Sequence, residues 1–329
     1  MKRRHLLSAI GAVTLSAALS LGLATSAHAQ NNYPDRPIQM IVPWGAGGGT
    51  DAVARFMAAE LENKLGQPVN VVNRTGGSGV VGHSAIAQAK PDGYTLGLIT
   101  VEITMMRHLG LTELSYQDFT PVAMVNYDPN AVFVRNDSDI NTTEDLLAAI
   151  KANPGKLKGS GTGQGGIWHL GLAGMLVEAD LPGDGVTWVP SQGAAPGLQD
   201  LMAGGIDLAS CSLPEARALI EAGRVKPLVL MDVKADLLFP DVPLLKSQTG
   251  SDWTNGAWRG VAGPAGMPPE VVAILATALE EIYQSKDYAD FLASRGFGAQ
   301  WANPQEFGVF MEQEDTAKGN VLKAVGLAK

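Results

Sequence analysis

Three glycine-rich stretches are where this sequence could do chemistry. Pro43-Trp44-Gly45-Ala46-Gly47-Gly48-Gly49-Thr50-Asp51 joins a strand-like run to a helical one. Gly159-Ser160-Gly161-Thr162-Gly163-Gln164-Gly165-Gly166 leads into a second helix. Asn73-Arg74-Thr75-Gly76-Gly77-Ser78-Gly79 repeats the arrangement between another strand and its helix. Glycine lets a backbone approach a ligand closely and adopt positive φ. Free N–H groups at a helix start, together with the helix dipole, favour an anion there. The plain alternative is that each stretch is only a tight turn. Three of them at strand–helix junctions favour a ligand site.

The chemistry narrows by elimination. Neither main loop has the lysine of a GxxxxGK[ST] phosphate loop. Gly161 to Gly166 satisfies GxGxxG literally, but so dense a run of glycine makes the match uninformative. A carboxylate fits better, being a small anion that N–H and hydroxyl donors hold without a countercharge. No HExxH or GxSxG is present, and Gly76-Gly77-Ser78-Gly79-Val80 lacks the last glycine of a nucleophile elbow. His83, His108 and His169 have no metal-ligand spacing. His169 either donates to a ligand carboxylate or is a packed, loop-bonding histidine. Trp44 and Trp168 flank the two main loops and either wall a cleft or belong to the core. Asp51 reads as a partner of the helix dipole, and Arg55 as solvent-facing. No metal or cofactor is expected.

The elements that must position these loops alternate. Strands are expected at Pro37–Val42, Val69–Val72 and Tyr94–Thr100, with helices at Thr50–Leu65 and Gly79–Ala89 between them. Val53, Met57, Leu61 and Leu65 form the apolar stripe of the first helix, and Gly66 stops it. This β-α-β-α-β order makes a parallel sheet covered by helices. The pattern then restarts. Two short strands, Val122–Asn126 and Ala131–Arg135, are expected on either side of Asp128-Pro129. A helix at Thr143–Ala152 follows, capped by Asn141 or Thr142, then a helix at Trp168–Glu178. Strands at Thr187–Val189, Ile206–Ser210 and Val225–Met231 alternate with helices at Pro196–Ala203 and Leu213–Ala222. A strand near Trp258–Ala262 precedes C-terminal helices, surplus to the second unit and free to pack on the first. Two lobes with a cleft between them result, and such clefts are favoured ligand sites.

The 329 residues suit two domains. A hydrophobic share of 46% and a charged share of 17% argue against disorder. A net charge of −9 argues against nucleic acid as a partner. The single Cys211 excludes an intramolecular disulfide and reads as a buried small hydrophobe. Lys2, Arg3 and Arg4 precede an apolar stretch from Leu6 to Ala24, and Ala27-His28-Ala29 is a small-x-small cleavage signal. Residues 1–29 therefore read as a secretory signal peptide, with an uncleaved membrane anchor as the competing reading. Arg3-Arg4 leaves the general and twin-arginine export routes both open. The segment carries three basic and no acidic residues, so its removal takes the formal charge from −9 to −12. Recognition of an anion would then be local. No later stretch is long and apolar enough to cross a bilayer.

The residues also resemble a known family. Tyr33-Pro34-Asp35-Arg36-Pro37-Ile38 entering the first glycine loop is similar to the opening of the Bug family, the TctC-like extracytoplasmic solute receptors of tripartite tricarboxylate transporters. The likeness continues through Asn73 to Gly79, Lys90-Pro91-Asp92-Gly93-Tyr94, Phe119-Thr120-Pro121-Val122 and Gly159 to Leu170. Gly193-Ala194-Ala195-Pro196, Ala203-Gly204-Gly205-Ile206-Asp207, Asp241-Val242-Pro243 and Trp258 to Gly266 complete it over essentially the whole mature chain. The resemblance implies an α/β, two-lobed periplasmic binding protein, a Venus flytrap of type II-like build with a ligand cleft between the lobes. It implies carboxylate binding by Ala46, Gly47, Gly48, Gly77, Ser78 and Thr100 from one lobe. From the other it implies Ser160, Thr162, Gly163, Gln164, His169, Gly193 and Ala194. Two departures touch the cleft: Gly45-Ala46 where many members have a proline pair, and Ser191-Gln192 where an aromatic or lysine is frequent.

The expectation is a periplasmic, monomeric receptor that captures a small carboxylate, a di- or tricarboxylate or an aromatic acid. It would deliver it to the membrane permease subunits of a tripartite tricarboxylate transporter and do no chemistry. Lobe 1 is expected to span residues 30–127 and 229–329, and lobe 2 residues 128–228. The rivals are an exported α/β enzyme, with Ser78 or Ser160 beside His169, and a binding protein that feeds a sensor kinase.

Overall fold

The computed structural model describes residues 33–329; the signal peptide expected over 1–29 lies outside them. From Arg36 onward the chain opens with β1 (Ile38–Val42). Helix α1 (Gly49–Leu65) follows, with Val53, Met57 and Leu61 buried as one stripe. Gly66, at φ 69°, ends it in the left-handed conformation that suits glycine. Next come β2 (Val69–Asn73), α2 (Val80–Ala87) and β3 (Thr95–Thr100). Strand β1 lies between β2 and β3, parallel to both. The loops after these strands therefore leave the sheet on one edge, as ligand-binding loops of open α/β sheets do.

Strand β4 runs from Phe119 to Arg135 without a break. This corrects the two short strands expected about Asp128-Pro129. Proline interrupts a strand because it lacks an N–H for the ladder. Here Pro129 is the last residue paired with one sheet, and pairing with the second begins at Asn130. The missing donor falls where the strand changes partners.

The second unit contains α3 (Thr143–Ala152), β5 (Lys158–Ser160), α4 (Ile167–Glu178), β6 (Thr187–Trp188) and α5 (Ala194–Ala203). It continues with β7 (Leu208–Ser212), α6 (Leu213–Glu221) and β8 (Val225–Met231). Thr142 caps α3 and forms a capping box with Asp145. Strand β5 is parallel to β6 and β7, while the C-terminal half of β4 is antiparallel to β7 and β8. The second sheet thus reads β8-β4-β7-β5-β6.

The chain returns through a short α7 (Leu245–Thr249) to β9 (Gly256–Pro264), antiparallel to both β3 and the N-terminal half of β4. Helices α8 (Pro269–Tyr283) and α9 (Lys286–Arg295), strand β10 (Ala299–Ala302) and helix α10 (Pro304–Ala324) finish it. The first sheet reads β2-β1-β3-β9-β4-β10. The C-terminal helices pack on the first unit. Phe56 of α1 stacks on Phe291 of α9 at 4.4 Å, and Lys64 of α1 pairs with Glu281 of α8 at 2.7 Å. Two sheets that share β4, each with helices on its faces, make two lobes around a cleft. Among the described residues no helix is long and apolar enough to cross a membrane.

Candidate functional site

The C-terminal ends of the parallel strands of both sheets meet at a cavity of about 20 Å³, room for about one water. Its wall includes Gly48, Thr100, Thr162, Gly193 and Ala194. It also includes three charged side chains: Glu102 just after β3, Glu215 on α6 and Arg259 on β9. The lobes are closed on each other there. The Gly45 N–H donates to the Gln192 carbonyl at 2.9 Å across the cleft.

Each glutamate reaches across to the opposite lobe. Glu102 is 4% exposed, and its Oε1 accepts the N–H of Ile167, the first residue of α4, at 3.2 Å. Its Oε2 accepts from the Thr100 hydroxyl, which itself accepts from the Trp44 indole N–H at 3.1 Å. Two successive donors thus point at this carboxylate. Glu215 Oε1 accepts the N–H of Gly49, the first residue of α1, at 3.1 Å. Glu215 Oε2 accepts from the N–H and hydroxyl of Ser212, at 3.3 and 3.1 Å. The starts of α1 and α4 are therefore each capped by a carboxylate from the other side.

Arg259 is 2% exposed and fully committed. It donates to Asp128, Asn126 and, at 3.0 Å, the Thr50 hydroxyl, and it stands 3.7 Å from Glu215. Burial raises the pKa of Glu102 above the ordinary carboxylate range, against the bonds from Thr100 and Ile167. Burial likewise raises that of Glu215, against the attraction of Arg259. At the rim, burial of Asp51 is outweighed by bonds from Arg55, the Gly47 N–H and Asn73, and its pKa is lowered.

His169 and His83 bring no positive charge to the site. Burial lowers His169 to about 4, and its Nδ1 accepts the Gly165 N–H at 2.9 Å, so the ring holds its proton on Nε2. It stacks on Trp188 at 4.6 Å. His83 is also lowered to about 4 by burial; it bonds the Gly79 carbonyl through Nδ1 and accepts the Thr100 N–H on Nε2.

The remaining residues expected at the site lie off the cavity wall. Ala46, Gly47, Gly77 and Gln164 are exposed. Ser78 sits in the left-handed region at φ 56°, and a Cβ placed on Gly163 would lie 2.1 Å from its hydroxyl oxygen. Ser160 is fully buried, and its hydroxyl has no hydrogen-bond partner among the described residues, so it does not pair with His169. Glu102, Glu215 and the buried role of Arg259 escape the sequence reading. Their one signal is a lone charge in an apolar run, as in Leu98 to Met106 for Glu102.

Two lobes, a shared strand and a cleft lined by helix starts define a solute-binding protein. Residues 53–327 match the tripartite tricarboxylate transporter family receptor, TctC. The chain belongs to this family. It is 30% identical to Protein BugT of Bordetella pertussis over 99% of both chains. It is 34% identical to a TctC solute binding protein from Polaromonas solved with no ligand, over 89% of this chain and 99% of that one, with a TM-score of 0.65. It is 28% identical to Rpa4515 of R. palustris solved with adipate, over 90% of this chain and 99% of that one, with a TM-score of 0.85.

Proposed function

We propose that this protein captures a small carboxylate in the periplasm and presents it to the membrane subunits of a tripartite tricarboxylate transporter, as an exported monomer whose signal peptide ends near Ala29. The observation that carries the reading is the start of α5. Gly193 and Ala194 line the cavity there, and among the described residues no side chain caps the helix. An uncapped helix start facing a cavity is an anion site. Thr162 adds a hydroxyl to the wall beside Thr100, whose own proton goes to Glu102, and the resemblance to an adipate-bound relative supports a carboxylate.

The protein binds without chemistry. His169 spends Nδ1 on a backbone N–H, and the Ser160 hydroxyl has no partner among the described residues, which speaks against the Ser160–His169 pair an enzyme would need. We place the crossings between lobes at Pro129–Asn130 within β4 and between Met231 and Gly256. Of the residues suggested by family resemblance, Gly48, Thr100, Thr162, Gly193 and Ala194 face the ligand. Ala46, Gly47, Gly77, Ser78, Ser160, Gly163, Gln164 and His169 shape the loops around it.

The test is a thermal-shift screen of protein exported under its own leader and purified from the periplasmic fraction, against a library of aliphatic and aromatic carboxylates. At about 100 times its dissociation constant a ligand stabilises the fold by roughly 2.7 kcal/mol. A carboxylate that raises the melting temperature and is recovered unchanged supports the reading. A folded, ligand-free sample that responds to none of them overturns it.

A further inference from the structure

Glu102 and Glu215 occupy two of the helix starts that meet at the cavity. The α4 start is taken by Glu102 through Ile167 N–H, and the α1 start by Glu215 through Gly49 N–H. The α5 start is left open. A Cβ placed on Gly197, in its first turn, would meet the unpartnered Ser160 hydroxyl at 3.2 Å. The cavity thus offers one position for an anion and holds two carboxylates of its own.

One cation on the wall answers those carboxylates, and it is shared. Arg259 is the one Lys or Arg among the described residues that line the cavity, and it is bonded to Asp128 while standing 3.7 Å from Glu215, so one guanidinium faces more than one carboxylate. His83 and His169 are neutral at physiological pH. A second carboxylate on the ligand would be placed against buried like charge. An ammonium group would instead receive charge-assisted hydrogen bonds from both glutamates.

We propose that Glu102 and Glu215 determine specificity, so that the receptor selects a carboxylate that also carries a cationic amino group and rejects a dicarboxylate of the same length. This rests on the carboxylate reading above and names its substrate class. The raised affinity of both glutamates for protons has the same origin, burial that the shared Arg259 offsets only in part.

The experiment is calorimetry at neutral pH with length-matched pairs. Glutarate is compared with γ-aminobutyrate, adipate with δ-aminovalerate, and terephthalate with p-aminomethylbenzoate. At least one amino acid should bind about tenfold more tightly than its dicarboxylate partner. Glu102→Gln or Glu215→Gln should remove that preference, with ligand-free Glu102→Gln melting no earlier than the wild type. The wild-type pairs decide the matter even where a variant fails to fold. A dicarboxylate that binds as tightly as its amino partner overturns this proposal and leaves the carboxylate reading standing. A preference unchanged in both folded Gln variants overturns the assignment to these residues. Binding by neither member of any pair, nor by any acid of the thermal-shift library, overturns both readings.

Discussion

Ser78 and Gly163 touch across the closed cleft, with no room between them for even a methyl group. Ser78 holds a positive φ, and Gly163 follows the β5 strand end on the other lobe. Glycine at 163 is therefore a condition of closure. Gly163→Ala should hold the lobes apart, enlarge the radius of gyration in small-angle scattering and weaken ligand binding at least about tenfold, or 1.4 kcal/mol. Ser78→Gly should restore part of the loss, since glycine accepts φ 56° and removes the hydroxyl and Cβ. A Gly163→Ala protein with unaltered scattering and affinity would show that the contact is incidental.

The two glutamates make a pH prediction with a definite sign. Their folded pKa values are raised, so the folded state binds protons more strongly than the unfolded state. Stability from this source is complete below the ordinary value of 4.5 and is lost as pH rises through the folded pKa. Ligand-free Glu102→Gln should therefore gain melting temperature over the wild type, and the gain should grow with pH above about 4.5, whereas Glu215→Gln sets an amide NH2 against the N–H of Gly49 or of Ser212 and should not gain. A gain independent of pH would assign it to packing.

His83 and His169 act in the opposite direction. Their folded pKa values are lowered to about 4 from 6.5. Their contribution is complete above pH 6.5, falls as the solution is acidified, and levels off below about 4. Imidazole NMR should show neither ring titrating above pH 5 in the folded protein, about one unit above their lowered values. Titration of His169 near its ordinary value would mean that its loop opens readily.

Arg259 is held by Asp128, Asn126 and Thr50 beneath the cleft. Removing one partner of a buried ion pair leaves the other charge uncompensated. Arg259→Ala should cost about 3–5 kcal/mol in urea unfolding. Arg259→Lys should recover only part of this, because one ammonium cannot reproduce the planar fork. A loss below about 1 kcal/mol would show that other donors compensate the Asp128 carboxylate.

Much of the architecture is legible in residue patterning. The α1 stripe of Val53, Met57 and Leu61 and the Gly66 stop follow from local rules, which also narrow the α3 cap to Asn141 or Thr142, of which the structure uses Thr142. Strand β4 is not legible, because Asp128-Pro129 reads as a turn when the change of sheet cannot be seen. The glycine loops announce a cleft but not who fills it. Glu215 looks like an ordinary first-turn acid of α6, and its bond to Gly49 joins residues 166 positions apart. Periodicity is blind to such a contact. Cys211, by contrast, reads correctly as core: it is fully buried on β7.

That thiol gives one more expectation. Burial, aided by the charge of Glu215, raises the Cys211 pKa well above its ordinary value. The thiolate is the reactive form. Native protein should resist a thiol reagent that labels it promptly in denaturant, as mass spectrometry would record. Rapid native labelling would reveal local opening around β7.

The continuous β4 bears on how such a protein can be rebuilt. Residues Phe119–Pro129 are laced to β9, and Asn130–Val134 to β7 and β8. The halves are therefore not interchangeable cassettes. A chimera that grafts a foreign second lobe at this junction must inherit the strand partners on both sides. Otherwise the graft point becomes an unpaired sheet edge, open to aggregation rather than to ligand.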